Sequence, residues 1–195
     1  MKSKDEIRLE MREKRRAITQ EERREAGKEI AKKLVESDIH LLLQAWRIAI
    51  YLSTPHEIPT RYIARSIFEV GREVVVPYWS ESSNKYKLSL MNPKTKLIKG
   101  KMGIREPGER LPVSPLDIDA FIIPGLAFDA QGGRLGYGAG IYDGILLEAR
   151  KRTPKIAICY DWQVLDEPLP LEPHDIRMDW IVTDKRVINC KKNND

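Results

Sequence analysis

Residues 120–151 read AFIIPGLAFDAQGGRLGYGAGIYDGILLEARK. The opening Ala120-Phe-Ile-Ile-Pro124 is apolar without alternation and is stopped by proline, the pattern of a short strand buried on both faces. Five of the chain's twelve glycines then fall between Gly132 and Gly140. Apolar residues at helical spacing follow, predicting a helix from about Ile141 to Lys151. The stretch is therefore a buried strand, the segment Gly125-Leu-Ala-Phe-Asp129, a glycine-rich turn and a helix, which is the unit of an α/β fold.

Working outward, the same unit recurs. Arg47 to Ser53 reads as a buried strand ending at Thr54-Pro55, Thr60 to Val70 as a helix closed by Gly71, and Glu73 to Pro77 as the next strand. Tyr86 to Met91 alternates like a half-exposed strand, and the Lys-, Gly- and Pro-rich segment from Asn92 to Asp117 reads as irregular. Lys155 to Tyr160 and Trp180 to Thr183 complete the buried strands. Upstream, Ile7, Met11, Ile18, Ala26, Ile30 and Leu34 recur at helical intervals. They predict two amphipathic helices between Ser3 and Val35, meeting near Ile18, with Thr19 able to cap the second. Arg8, Arg12 and either Arg15 or Arg16 share one stripe of the first.

Parallel strands need crossovers, and helices usually supply them, so this alternation predicts one α/β domain over residues 1–195. Its mainly parallel sheet should carry helices on both faces. Ligands in such sheets bind beyond the carboxyl ends of the strands. The loops after Ser53, Pro124 and Tyr160 are accordingly expected to converge on one site.

Composition narrows the partners. Hydrophobic residues make up 42% and charged residues 32% of 195, with four Trp and seven Tyr, which excludes a disordered or fibrous chain. No run approaches the roughly 18 apolar residues that span a bilayer, and only Cys159, inside an apolar run, and Cys190, in a polar tail, are present, so a cytoplasmic protein without a disulfide framework is expected. A net charge of +5 favours anions, whether nucleic acid, nucleotide phosphates or a polyanionic small molecule.

The glycine cluster speaks to that choice. Glycines let backbone N–H groups approach a ligand, and a following helix presents unpaired donors, an arrangement suited to phosphate. Gly136, Gly138 and Gly140 form G-x-G-x-G, neither a Walker loop nor the dinucleotide fingerprint, so a phosphate cradle and a structural turn both stand. Arg134 could hold phosphate by paired hydrogen bonds. Asp143 suits either a bridging cation or the start of the helix, and magnesium bound to a nucleotide would reconcile the two.

PGLAFDAQGGRLGYGAGIYD, residues 124–143, resembles the signature of the 5-formyltetrahydrofolate cyclo-ligases, also called methenyltetrahydrofolate synthetases. SKDEIRLEMREKRRAITQEER resembles that family's opening helix, YLSTPHEIPT its first strand and substrate loop, and GIREP and EPHDIRMDWIVTD its later segments. The resemblance implies a Rossmann-like three-layer fold similar to the NagB/RpiA/CoA-transferase-like architecture. It also implies ATP-dependent, magnesium-requiring conversion of 5-formyltetrahydrofolate to 5,10-methenyltetrahydrofolate by a monomer.

ATP would then be held by Lys4, Arg8, Arg134, Leu135, Gly136, Tyr137, Gly138, Ala139, Gly140 and Tyr142, and folate by Leu52, Glu57, Tyr137 and Ile141. Catalytic roles fall to Arg134 and Tyr142, and the magnesium ligands to Asp143 and Asp175. Read without the resemblance, Glu57 could simply cap the helix near Thr60 and Asp175 could be a turn residue; His40, His56 and His174 receive no role. Two departures stand out, because many relatives carry Lys at the position of Ala139 and Tyr at that of Ile141. Some also carry an aromatic residue near Met102. The rival expectation is a basic nucleotide- or RNA-binding protein of the same fold without cyclo-ligase activity, although the interleaved acidic and basic residues of the N-terminal helices disfavour nucleic acid.

Overall fold

The computed structural model describes residues 2–36, 44–173 and 175–193. His40 and His174 lie outside them. The two N-terminal helices are α1 (Lys4–Arg16) and α2 (Gln20–Glu36). Each begins with a reciprocal cap. Ser3 accepts from the Glu6 N–H while the Glu6 carboxylate accepts from the Ser3 N–H at 2.7 Å, and Thr19 and Glu22 repeat the exchange at 3.2 and 2.8 Å. The predicted cap at Thr19 is present.

The strands of the main sheet are β1 (Arg47–Ile50), β2 (Glu73–Ser80), β3 (Lys85–Met91), β6 (Pro112–Val113), β7 (Ala120–Ile123), β10 (Lys155–Cys159), β12 (Trp180–Thr183) and β13 (Val187–Asn189). Their order is β13-β12-β10-β7-β1-β2-β3-β6. The five central strands from β12 to β2 are parallel, and the outer ones, β13, β3 and β6, each pair antiparallel with the preceding neighbour toward the centre. Between β1 and β2 runs α3 (Arg61–Glu69), closed by Gly71 at φ +70°. Between β7 and β10 runs α4 (Ile141–Leu147).

Strand side chains alternate between the two faces and so build three layers. Ile48, Ile50, Val74, Val76, Ile122, Ile156 and Ile158 pack with Ile30, Leu34, Ile63 and Ile67 of α2 and α3. Ala49, Val75, Phe121, Ile123, Ala157 and Ile181 pack on the other face with Ile145 and Leu146 of α4. The predicted mainly parallel sheet with helices on both faces is the observed architecture.

Three local expectations need correction. The last helix stops at Leu147, not near Lys151, because Glu148 and Ala149 donate back only three residues and Arg150 turns away to donate to the Ile118 carbonyl at 2.6 Å. The segment 92–117 is not wholly irregular. It holds β6 and a hairpin of β4 (Leu97–Lys99) with β5 (Arg105–Pro107). Finally, the polar-looking end of the chain returns to the core, where β13 pairs with β12 and Cys190 is buried. Neither Cys159 nor Cys190 forms a disulfide.

Candidate active site

The chain leaves β1 toward β2 on one side and leaves β7 toward β10 on the other. The sheet therefore reverses its direction of winding between β1 and β7, where an open α/β sheet forms its ligand crevice. A cavity of about 380 Å³ lies there, lined by Tyr51 and Leu52 after β1 and by Pro124 after β7. The loop after Tyr160 does not join it, contrary to expectation. Strand β7 separates β10 from β1, placing that loop about 10 Å aside. Gln163 within it is occupied in holding the Gly125 and Leu126 carbonyls at 3.2 and 2.8 Å.

The glycine-rich loop forms one wall. Short strands β8 (Ala127–Asp129) and β9 (Arg134–Leu135) pair as a hairpin that leads the chain into it, and β11 (Val164–Leu165) pairs with the other edge of β8. Asp129, fully buried, accepts from the N–H groups of Gln131, Gly133 and Leu169 and fixes the turn. Gly138 and Gly140 have φ of +99° and +63°, a region costly for other residues, so both glycines are conformationally required. The N–H groups of Tyr137, Gly138, Ala139 and Gly140 have no acceptor among the described residues. With only seven residues, α4 adds little dipole, and the loop amides are the main donors.

Cations come from α1. Lys4, Arg8 and Arg15 fall on one stripe of the helix, and its apolar neighbours Ile7 and Met11 are buried with Leu126 and Leu135, which turns that stripe onto the loop. Arg8 Nε donates to the Gly136 carbonyl at 3.1 Å, and Lys4 Nζ to Asp175 at 2.9 Å. Arg134 donates to Asp143 at 2.5 Å; its side chain is 6% exposed against 46% for Asp143, and its Nε is buried without an acceptor. Thus the two proposed metal carboxylates are each paired with one of the proposed phosphate cations.

Opposite the loop, Glu57 is buried. Its Oε2 accepts from the Thr54 N–H at 2.8 Å and its Oε1 from the Tyr137 hydroxyl at 3.0 Å, so it is not a cap for α3. Arg15 completes this group. It is 3% exposed, donates to the His56 carbonyl at 2.8 Å and to the Tyr137 hydroxyl, and lies 3.9 Å from Glu57. Tyr137 is 41% exposed overall because its ring faces the cavity while its hydroxyl sits between Arg15 and Glu57. Desolvation, and then the Glu57 charge, push the phenols of Tyr137, Tyr142 and Tyr51 above their ordinary range. All three remain hydrogen-bond donors at neutral pH.

Every expected site residue lines this one cavity: Lys4, Arg8, Leu52, Glu57, each position from Arg134 to Asp143, and Asp175. Sequence reasoning missed Thr54, Tyr86, Ile104 and Ile176 in the wall and Arg15 behind it. Among the described residues no group of three or more His, Cys, Asp or Glu could hold a metal. Asp143 and Asp175 nevertheless suit a cation that takes one or two carboxylates and completes its shell with water and phosphate oxygens. No helix among the described residues is long and apolar enough to cross a membrane.

Sheet, switch-point cavity and converging polar groups define a three-layer α/β protein built around a small-molecule site. The sequence model of the 5-formyltetrahydrofolate cyclo-ligase family matches residues 1–184, and the chain belongs to that family of enzymes. It is 31% identical over 183 residues to the 5-formyltetrahydrofolate cyclo-ligase of Escherichia coli K12, covering 91% of this chain and 98% of that one. The mouse 5-formyltetrahydrofolate cyclo-ligase is 27% identical over 187 residues, covering 90% and 91%. Among solved structures, the 5,10-methenyltetrahydrofolate synthetase of Aquifex aeolicus superposes with a TM-score of 0.82 at 30% identity, over 96% of this chain and 93% of that one.

Proposed function

We propose that this chain converts 5-formyltetrahydrofolate and ATP to 5,10-methenyltetrahydrofolate, ADP and phosphate, with Mg²⁺ as the required metal. The observation that carries the reading is the convergence of Lys4, Arg8 and Arg134 on a loop with unpaired amides, in one cavity with Glu57, which the loop's own Tyr137 reaches through its hydroxyl. One side suits a polyphosphate, and the other suits the amide and amino edge of a pterin.

A formamide oxygen is a poor leaving group, which accounts for the use of ATP. The formyl oxygen attacks the γ-phosphorus and ADP departs; N10 then attacks the activated formyl carbon, the carbon–oxygen bond breaks, and phosphate leaves. The N10 proton is lost as the methenyl bridge forms. The protein's task in such a transfer is alignment, charge stabilisation and exclusion of water. Arg134 and the Tyr142 hydroxyl would stabilise the transferring phosphoryl group, the loop from Leu135 to Gly140 would cradle the phosphates, and Lys4 and Arg8 would hold their outer oxygens. Glu57 and Tyr137 would orient the pterin between Leu52 and Ile141. Asp143 and Asp175 would hold Mg²⁺, which when bound neutralises phosphate charge. Holding it, they would give up Arg134 and Lys4, and both cations would be free for the nucleotide. All these groups come from one chain, as a monomeric enzyme of a reducing cytoplasm requires.

The test is to incubate the purified protein with 5-formyltetrahydrofolate, ATP and Mg²⁺ and to follow methenyltetrahydrofolate by its near-ultraviolet absorbance. Product should form only when both ATP and magnesium are present. Absence of ATP-dependent product refutes the reading.

A further inference from the structure

The tip of the β4–β5 hairpin reaches the cavity, where Met102 and Ile104 form part of the wall. Met102 stands in the left-handed region, at φ +57° and ψ 18°, and Gly103 follows it there at φ +75°. Glycine takes that conformation freely. A residue with a side chain does so at a cost, and keeps it where the surrounding structure over-determines it. Here the tip is tied on both flanks. The Gly100 N–H donates to the Ile104 carbonyl at 2.8 Å, while the Ile104 N–H and the Tyr86 hydroxyl both donate to the Lys101 carbonyl at 3.2 Å. The Lys101 ammonium lies 3.4 Å from the centre of the Trp79 ring. Buried Glu106 packs against Gly100 and accepts from the Trp79 N–H at 2.8 Å, which ties the hairpin to β2.

Held in this way, Met102 is 66% exposed. Among the described residues Met11 and Met178 are buried and Met91 is half-buried against the core, so Met102 offers the one thioether open to solvent. The thiols do not compete with it as nucleophiles, because burial pushes both Cys159 and Cys190 up and keeps them protonated. A thioether needs no ionisation to react. Its access to the oxidant decides the rate.

We propose that Met102 is a site of reversible oxidation that sets how well the cavity takes its folate substrate. The Met102 sulfur attacks hydrogen peroxide, the S–O bond forms as the O–O bond breaks, and the proton on the new S–OH group passes to the departing hydroxide. Methionine sulfoxide and water result, with sulfur oxidised and peroxide reduced. A sulfoxide reductase reverses the change, the oxygen leaving as water with electrons from a dithiol. The effect on binding rests on the proposed function, in which the pterin lies beside Leu52 and Glu57. Gly103 and Arg105, on either side of Ile104, border those same two residues, so the tip stands on the folate side of the cavity. Oxidation there replaces a flexible apolar group by a strong dipole. The aliphatic side chains of Leu52 and Ile104 in the same wall offer that dipole no hydrogen bond.

The experiment treats the folded protein with hydrogen peroxide, removes the excess with catalase and maps oxygen uptake by peptide mass spectrometry. Met102 should react roughly tenfold or more faster than Met11, Met91 or Met178. The oxidised protein should show a folate KM raised about tenfold, the scale of losing one side chain's apolar contact, with the ATP KM unchanged. A sulfoxide reductase should restore the starting value. Met102→Leu, which has no sulfur at this position, should show no response to peroxide in either KM, whatever its starting values. Calorimetric titration with 5-formyltetrahydrofolate alone reads the same loss as a Kd, without ATP or turnover. A chain that binds folate but makes no methenyltetrahydrofolate therefore still tests Met102, and refutes only the proposed reaction. Uptake at Met102 no faster than at the other methionines, folate affinity unchanged by its oxidation, or a peroxide effect that persists in Met102→Leu overturns the proposal. A chain that binds no folate in either form overturns both.

Discussion

Arg15 allows a quantitative test of how the two sides of the cavity are tied together. Replacing it with Met keeps most of the volume and removes the guanidinium, leaving the His56 carbonyl and the buried Glu57 without their cationic neighbour. Removing one member of a buried charge pair costs about 3–5 kcal/mol, because the remaining charge stays desolvated. The 3.9 Å Arg15–Glu57 separation and the Tyr137 hydroxyl bridging the two place the expected loss near the lower end. A chain of 195 residues changes its stability by about 0.4 kcal/mol per degree near its midpoint, so Arg15→Met should lower Tm by about 7 °C or somewhat more. Scanning calorimetry at neutral pH measures this directly. Glu57→Gln added to Arg15→Met should restore part of the loss, giving a coupling of about 1–3 kcal/mol in the double-mutant cycle. A Tm change under about 2 °C, or strictly additive effects of the two substitutions, would refute the coupling.

Three further outcomes follow from other parts of the molecule. Asp143→Asn should leave stability within about 1 kcal/mol, since the carboxylate is half exposed. It should nevertheless cut turnover by an order of magnitude or more at limiting magnesium, because an amide is a poorer ligand for a hard cation; normal rates across a magnesium titration would discard the metal assignment. Gly132→Ala should destabilise by about 2–4 kcal/mol in urea unfolding, because φ is +87° and a Cβ would stand 2.3 Å from the Met178 carbonyl oxygen; an unchanged midpoint would contradict this geometry. Ultraviolet titration should show fewer than seven phenols ionising near pH 10 while the protein stays folded. The folded state then retains protons that the unfolded state releases, so stability should be full below the ordinary phenol pKa of about 10 and fall as pH rises above it. A folded protein that titrates all seven together would exclude the buried environments of Tyr51, Tyr137 and Tyr142.

The features legible in the sequence are those whose physics is local. The strands were readable because unbroken runs such as Ala120 to Ile123 are buried on both faces, and the start of α2 because Thr19 and Glu22 exchange bonds within four residues. The cavity wall was readable because its glycines, Arg134 and Asp143 sit in one short stretch between a strand and a helix. What escaped depends on distant partners. Strands β4 and β5 have three residues each, too few to display a period of two, and they pair only across the tip that carries Met102. Arg15 looks like one more solvated charge on a highly charged helix. Its burial is affordable only because acceptors from residues 41 and 122 positions away, at His56 and Tyr137, meet it in the fold.

That difference bears on how the site works. Lys4, Arg8 and Arg15 share one helix face, and each touches a different partner at the cavity: Asp175, the Gly136 carbonyl, and the Tyr137 hydroxyl that in turn bonds Glu57. Because Lys4, Arg8 and Arg15 belong to one helix anchored by Ile7 and Met11, a displacement of that helix that brings Lys4 and Arg8 onto phosphate would also move the guanidinium that bonds the Tyr137 hydroxyl. On the proposed function, nucleotide and folate binding would therefore be coupled through one helix, with Arg15, the residue of the stripe that touches no proposed phosphate, as the link.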